Sequence, residues 1–88
     1  DATKLEVVIA DIDFGITRTG KDFGKIFVND GMQTTLVFMW QNEMSQQNPE
    51  NLRPGVGVQM YVGYDDKRNT FSLARNEIIH KLKARENV

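Results

Sequence analysis

The sequence predicts an all-β (mostly) fold, a five-stranded OB-fold barrel with a short helical insert between strands three and four and a C-terminal helical segment. Three observations predict it. Apolar residues recur at every second position over most of the chain, and turn residues punctuate that rhythm at short intervals. A polar, amide-rich stretch from Gln41 to Pro54 interrupts it once, between the third and fourth apolar runs. With 88 residues, 40% apolar and 26% charged side chains and a net charge of -1, residues 1–88 make one domain. The chain is too short for two cores, and too apolar at too low a charge to be obligately disordered. An SH3-like barrel is the runner-up, but the insert is longer than that architecture needs.

The first strand, Leu5 to Phe14, sets Val8, Ala10 and Ile12 on one face and Val7, Ile9, Asp11 and Asp13 on the other. The second, Phe23 to Asn29, alternates Gly24, Ile26 and Val28 with Phe23, Lys25 and Phe27. In the third, Gln33 to Trp40, Leu36, Phe38 and Trp40 are read as the core face, with Trp40 plugging the base of the barrel. Val56 to Tyr64 and Thr70 to Arg75 complete the set. Asp30-Gly31 reads as a tight hairpin turn and Asp65 to Asn69 as a short hairpin loop. Pro49 and Pro54 limit the insert to one or two helical turns. From Asn76 to Val88, Ile78, Ile79 and Leu82 form one helical stripe, with Lys81, Lys83 and Arg85 late in the segment where a helix dipole favours cations.

The chemical inventory argues against an enzyme. One His, no Cys and no glycine-rich phosphate loop leave nothing from which to assemble a nucleophile and its base, so the domain is read as non-catalytic, with no cofactor and no metal. Asp11, Asp13, Asp30, Asp65 and Asp66 lack EF-hand spacing, and turn chemistry accounts for Asp30 and Asp65. His80 has no second soft ligand to join it and is read as half-exposed on the terminal helix. The longest apolar run, Leu36 to Trp40, is five residues, too short to span a membrane, and no basic-then-apolar leader precedes the domain, so a soluble, cytoplasmic chain is expected. A start at Asp1 rather than Met is read as processing or as an excerpt of a longer chain.

Binding is the better reading, and the second strand carries it. Phe23, Lys25 and Phe27 share its outer face, a cation between two rings, which suits single-stranded nucleic acid: bases stack on aromatic faces and cations track phosphates. The preceding loop, Thr17 to Lys21, adds Arg18, Lys21 and two hydroxyls, and Lys67 and Arg68 close the groove from the last hairpin loop. Tyr61 and Tyr64 extend the platform or cover a barrel end. Arg75 is a phosphate contact or a partner for Asp11 or Asp13, and that acidic pair repels phosphates. On the opposite register, Phe23 and Phe27 are simply core.

The run Thr17-Arg18-Thr19-Gly20-Lys21-Asp22-Phe23-Gly24, followed by Asp30-Gly31 and Leu36-Val37-Phe38, resembles the nucleic-acid-binding OB domain of the bacterial replicative DNA polymerase III alpha subunit. In that family a Thr-Lys-x-Gly-Lys loop precedes a strand opening with a bulky and a small residue, and a Gly turn leads into a strand ending near Val-Phe. Phe71, Leu73, Ile78 and Leu82 resemble its closing pattern, so the similarity covers most of residues 5 to 82. The same grammar recurs in anticodon-binding domains of aminoacyl-tRNA synthetases. The resemblance implies a module of a DNA replication enzyme that holds single-stranded template, with polymerase or replisome subunits as partners and Arg18, Lys21, Phe23 and Lys25 at ligand-contacting positions. Asp13 stands where related sequences often carry a basic residue, and the Asp30-Gly31 turn is shorter than the family's.

Two other readings compete. One is an OB-like protein-interaction module in a larger assembly, docking through the terminal apolar stripe and the Tyr-bearing strand. The other is an oligosaccharide or small-ligand binder using Trp40 and the tyrosines. No residue identifies a group that would sense a 2′-hydroxyl, so RNA stands beside DNA as ligand.

Overall fold

The computed structural model describes residues 2–82. Its elements are β1 (Thr3–Ile16), β2 (Asp22–Asn29), β3 (Thr34–Trp40), α1 (Gln41–Met44), a 3-10 turn (Pro49–Asn51), β4 (Gly57–Asp65), β5 (Thr70–Leu73) and β6 (His80–Lys81). Hydrogen bonding runs β1-β2-β3-β5-β4, and β4 returns to β1, so five strands close a barrel and β6 is added on β4. The β3–β5 pair is parallel and the other pairings are antiparallel. That is the order of an OB-like barrel with a helical insert after β3, as the alternation predicts. No helix among the described residues is long and apolar enough to cross a membrane.

Closure depends on β1 serving two partners. Thr3 to Val8 pair with β4, and Val8 to Ile16 pair with β2. Within the stretch paired with β2 the register shifts at Ala10, between Ile9 and Asp11, a bulge that bends the strand and re-aims its side chains. The backbone of Ile9 is satisfied there from outside the ladder, its N–H donating to Val56 O at 3.0 Å and its carbonyl accepting from Gly55 N at 2.7 Å. Strict alternation therefore fails in β1: Val7 and Ile9 are core, and after the bulge Ile12 turns inward while Asp11 and Asp13 face out.

The rest of the core comes from Ile26 and Val28 of β2, Val37 and Met39 of β3, Val58, Met60 and Val62 of β4, Leu73 of β5, and Ile79. This corrects the expected face of β3, since Leu36, Phe38 and Trp40 point outward. The pairing with β2 decides it: Val37 lies across from Ile26 and Met39 across from Gly24, and cross-strand partners share a face. Met39 fills the space over Gly24, where a Cβ would come within 3.0 Å of its methyl group. Trp40 is thus no plug.

The β2–β3 connection is longer than a two-residue turn. Asp30 to Gln33 form a loop in which the Asp30 carboxylate accepts the N–H groups of Met32 and Gln33 at 2.8 and 2.9 Å, and Gly31 takes φ +100°. Those bonds, Gln33's first, hold the Asp30 carboxyl below the ordinary range.

The second correction concerns the C-terminal helix. Residues 76–82 hold a turn and β6; Lys83, Arg85 and the rest of the predicted helix lie outside the described residues. Asn76 adopts φ +62°, which takes the chain off a helical path. Beyond that point the insert captures the chain. Gln47, buried, donates from Nε2 to Glu43 O at 2.7 Å and Glu77 O at 3.0 Å, and its Oε1 accepts from Ile79 N at 2.8 Å. Asn51 Nδ2 donates to Ile79 O at 3.2 Å. With both backbone groups of Ile79 taken by insert amides, its side chain enters the core and His80 and Lys81 pair with Gln59 and Val58. His80 is accordingly exposed on a strand.

Candidate nucleic-acid interface

The outer face of β2 and β3 is built in rows. Phe23 lies across from Trp40, Lys25 from Phe38, and Phe27 from Leu36. On one flank β1 sets Gly15, Asp13 and Asp11 across from the same three β2 residues, and on the other Ser72 of β5 lies beside Phe38. Phe23 and Phe27 are thus on the outer face, half-buried by neighbours rather than sealed in the core. Phe38 and Trp40 stack at 5.3 Å between centroids with their planes 4° apart, and Phe23 tilts against both at 6.2 and 6.0 Å. Gly15 makes room for this, because the Phe23 ring lies where a Cβ at position 15 would meet it at 2.7 Å. Trp40 Nε1 donates to Ser72 Oγ at 3.3 Å, fixing the indole across the β3–β5 junction.

Two cations lie over these rings. Lys25 Nζ is 6.0 Å from the Phe38 centroid and the Arg68 guanidinium carbon 5.0 Å from that of Trp40, within reach of the ring quadrupoles. Arg68 is held by Asp65 at 2.9 Å, and the same carboxylate accepts the N–H groups of Lys67 and Arg68 at 3.0 and 3.3 Å. The Arg68 side chain is the main reason the Asp65 carboxyl is held below the ordinary range. Because the folded value is depressed, this arrangement is fully present above the unfolded Asp value of about 3.9 and is lost as pH falls through the lower folded value. Trp40, the single Trp, reports it: its emission is expected to change with a midpoint below about pH 3.9, and Asp65→Asn is expected to show the acid-form emission already at neutral pH.

The Thr17–Lys21 loop is closed on itself. Gly20 takes φ +83° and its N–H donates to Thr17 O at 2.9 Å, while Thr17 Oγ1 accepts from Lys21 N at 3.1 Å and contacts the Thr19 hydroxyl at 3.1 Å. Its hydroxyls therefore serve the turn, and Arg18 and Lys21 are left exposed at its surface. Lys67 is exposed in the β4–β5 loop. Phe27 sits one row from the cluster beside Leu36, and Tyr61 stands across from Lys4 of β1, outside the rings. Tyr64 packs edge-on against Phe71 and hydrogen-bonds to Asn69. Arg75 forms no ion pair with Asp11 or Asp13 among the described residues, where the ion pairs are Arg68–Asp65 and Arg53–Glu50.

The charges are unevenly placed. Asp11 and Asp13 line the β1 flank, whereas the β4–β5 loop sets Lys67 and Arg68 against Asp65 and Asp66, so a polyanion crossing the rings is repelled from the first and meets balanced charge at the second. Phe38 and Trp40, the two rings at the centre, are the residues sequence reasoning missed. The signal was available: a hairpin loop with an even number of residues puts Phe23 and Lys25 opposite members of the Leu36, Phe38 and Trp40 set, so outward Phe23 requires outward Trp40. Compared with known proteins, the chain matches no family model, no curated protein and no solved structure.

Proposed function

We propose that this domain is a non-catalytic module that binds single-stranded DNA across the outer face of β2 and β3. The observation that carries the proposal is the exposed-side cluster of Phe23, Phe38 and Trp40 with Lys25 and Arg68 over its rings. On an OB barrel that face and the loops flanking it, here Thr17–Lys21 and the β4–β5 loop, are where oligonucleotides bind. Stacking on such rings contributes about 1–3 kcal/mol per base and tolerates any sequence. The resemblance of the Thr17–Gly24 run to the OB domain of the polymerase III alpha subunit points the same way, to template held for a polymerase.

Titration of Trp40 fluorescence with a short single-stranded DNA at several salt concentrations tests it. With three or four of Arg18, Lys21, Lys25, Lys67 and Arg68 engaged, log affinity is expected to fall with log salt at a slope of about -2 to -3. A slope near zero, or no binding at low salt, overturns the proposal. A second reading, protein docking, is favoured by Phe14 and Ile16, which are 62% and 69% exposed beside the Thr17–Lys21 loop. Self-association of the chain without any response to DNA supports that reading instead.

A further inference from the structure

We infer that the open floor formed by Gly63, Ser72 and Ala74 beside Trp40 is a second base subsite, taking the nucleobase adjacent in the strand to the one stacked on the rings. The inference rests on the single-stranded DNA reading above.

Gly63 is the unusual residue. It lies inside β4, where a glycine weakens a strand by about 0.5–1 kcal/mol relative to alanine. Neither of the usual reasons for a strand glycine applies. Its backbone is not among the positive-φ glycines, which are Gly20, Gly31 and Gly55, and a Cβ built on it meets nothing within 4 Å. Gly15, on the same outer surface, is the contrast, since the Phe23 ring occupies the place of its missing side chain. What Gly63 leaves is open surface.

Its neighbours keep that surface open. Ser72 pairs with Gly63 across the β4–β5 ladder and with Phe38 across the β3–β5 ladder, so side-chain bulk falls from ring to hydroxymethyl to none along one row. Ala74, whose N–H bonds to Tyr61 O, is equally small. Trp40, Asp65, Asp66 and Lys67 border the same shallow hollow, which has a volume of about 510 Å³. Ser72 Oγ already accepts from Trp40 Nε1, so its own O–H is free to donate to a base edge, and Lys67 stands at the rim for the adjoining phosphate. The hollow lies on the β4–β5 side, away from Asp11 and Asp13, and the carboxylates beside it, Asp65 and Asp66, are balanced by Arg68 and Lys67.

Gly63→Val plants an isopropyl group on the floor of the hollow while supplying a better strand former. Its thermal midpoint is expected to equal or exceed that of the unaltered protein, and its affinity for a mixed-sequence eight-nucleotide DNA to be about five- to 150-fold weaker at fixed salt, with the salt slope unchanged. In the unaltered protein, the amide resonances of Gly63 and Ala74 are expected to shift on adding that DNA, a readout that does not depend on the variant folding. Unchanged affinity in folded Gly63→Val, or silent Gly63 and Ala74 amides while Trp40 responds, overturns the subsite and leaves the ring platform standing. Absence of binding by the unaltered protein overturns both.

Discussion

Trp40→Ala is expected to weaken binding of a short single-stranded DNA by about five- to 150-fold, the loss of one base stack, while the barrel stays folded. The two halves of that expectation have one cause. Trp40 lies on the outer face of β3, stacked on Phe38, tilted against Phe23 and capped by Arg68, so removing the indole removes the centre of the platform. The interior beneath is filled by Val37 and Met39 and is untouched. The stability change is then limited to lost ring contacts, about 0.5–1.5 kcal/mol each. A barrel plug would behave differently, with Trp→Ala costing about 3–5 kcal/mol. Anisotropy of a labelled oligonucleotide and urea unfolding by circular dichroism, run on one preparation, separate the cases. A large stability loss, or retained affinity, removes Trp40 from the interface.

How far the sequence reveals this face varies by strand, for physical reasons. In β2 a Lys between two phenylalanines breaks the symmetry of the alternation, and burying Lys25 unpaired is costly enough to fix which face is inside. In β3 five apolar residues follow one another, so either parity reads as core, and only pairing with β2 resolves it. The bulge at Ala10 has no local signature, because what requires it is the sharing of β1 between β2 and β4. The two loops are the reverse case. Asp30 and Asp65 each collect two backbone N–H groups within three residues, a local interaction that the sequence displays directly. The electrostatic frame was half visible: the acidic residues of β1 stand out in the sequence, but that Arg68 reaches back over Trp40 follows from tertiary placement alone.

The C-terminal segment is the clearest disagreement, and it supplies the largest expected stability effect. The spacing of Ile78, Ile79 and Leu82 fits a helical stripe, yet a short isolated helix is marginal in water and these residues have a better alternative. As β6 and its approach, the segment places Ile79 at zero exposure in the core and gives its backbone to Gln47 and Asn51. Ile79→Ala is therefore expected to cost about 2–5 kcal/mol, a large share of what an 88-residue domain has, roughly 4–13 kcal/mol. Gln47→Ala leaves the apolar core side chains in place but strands the buried N–H of Ile79 and two carbonyl partners, an expected loss of about 1–3 kcal/mol. Both effects are read from the urea midpoint at constant m, which keeps changes in the unfolded chain apart from lost contacts. Affinity per folded molecule is expected to be unchanged in Gln47→Ala, because its partners are backbone groups of Glu43, Glu77 and Ile79 and none is a member of the ring cluster. On a terminal helix Ile79 would instead be half-exposed and Gln47 free of it, and both substitutions would cost less than about 1 kcal/mol. Small losses in both therefore return residues 76–82 to the helical alternative, while losses of the expected size with binding intact show that the insert after β3 serves to lock the closing strand onto the barrel.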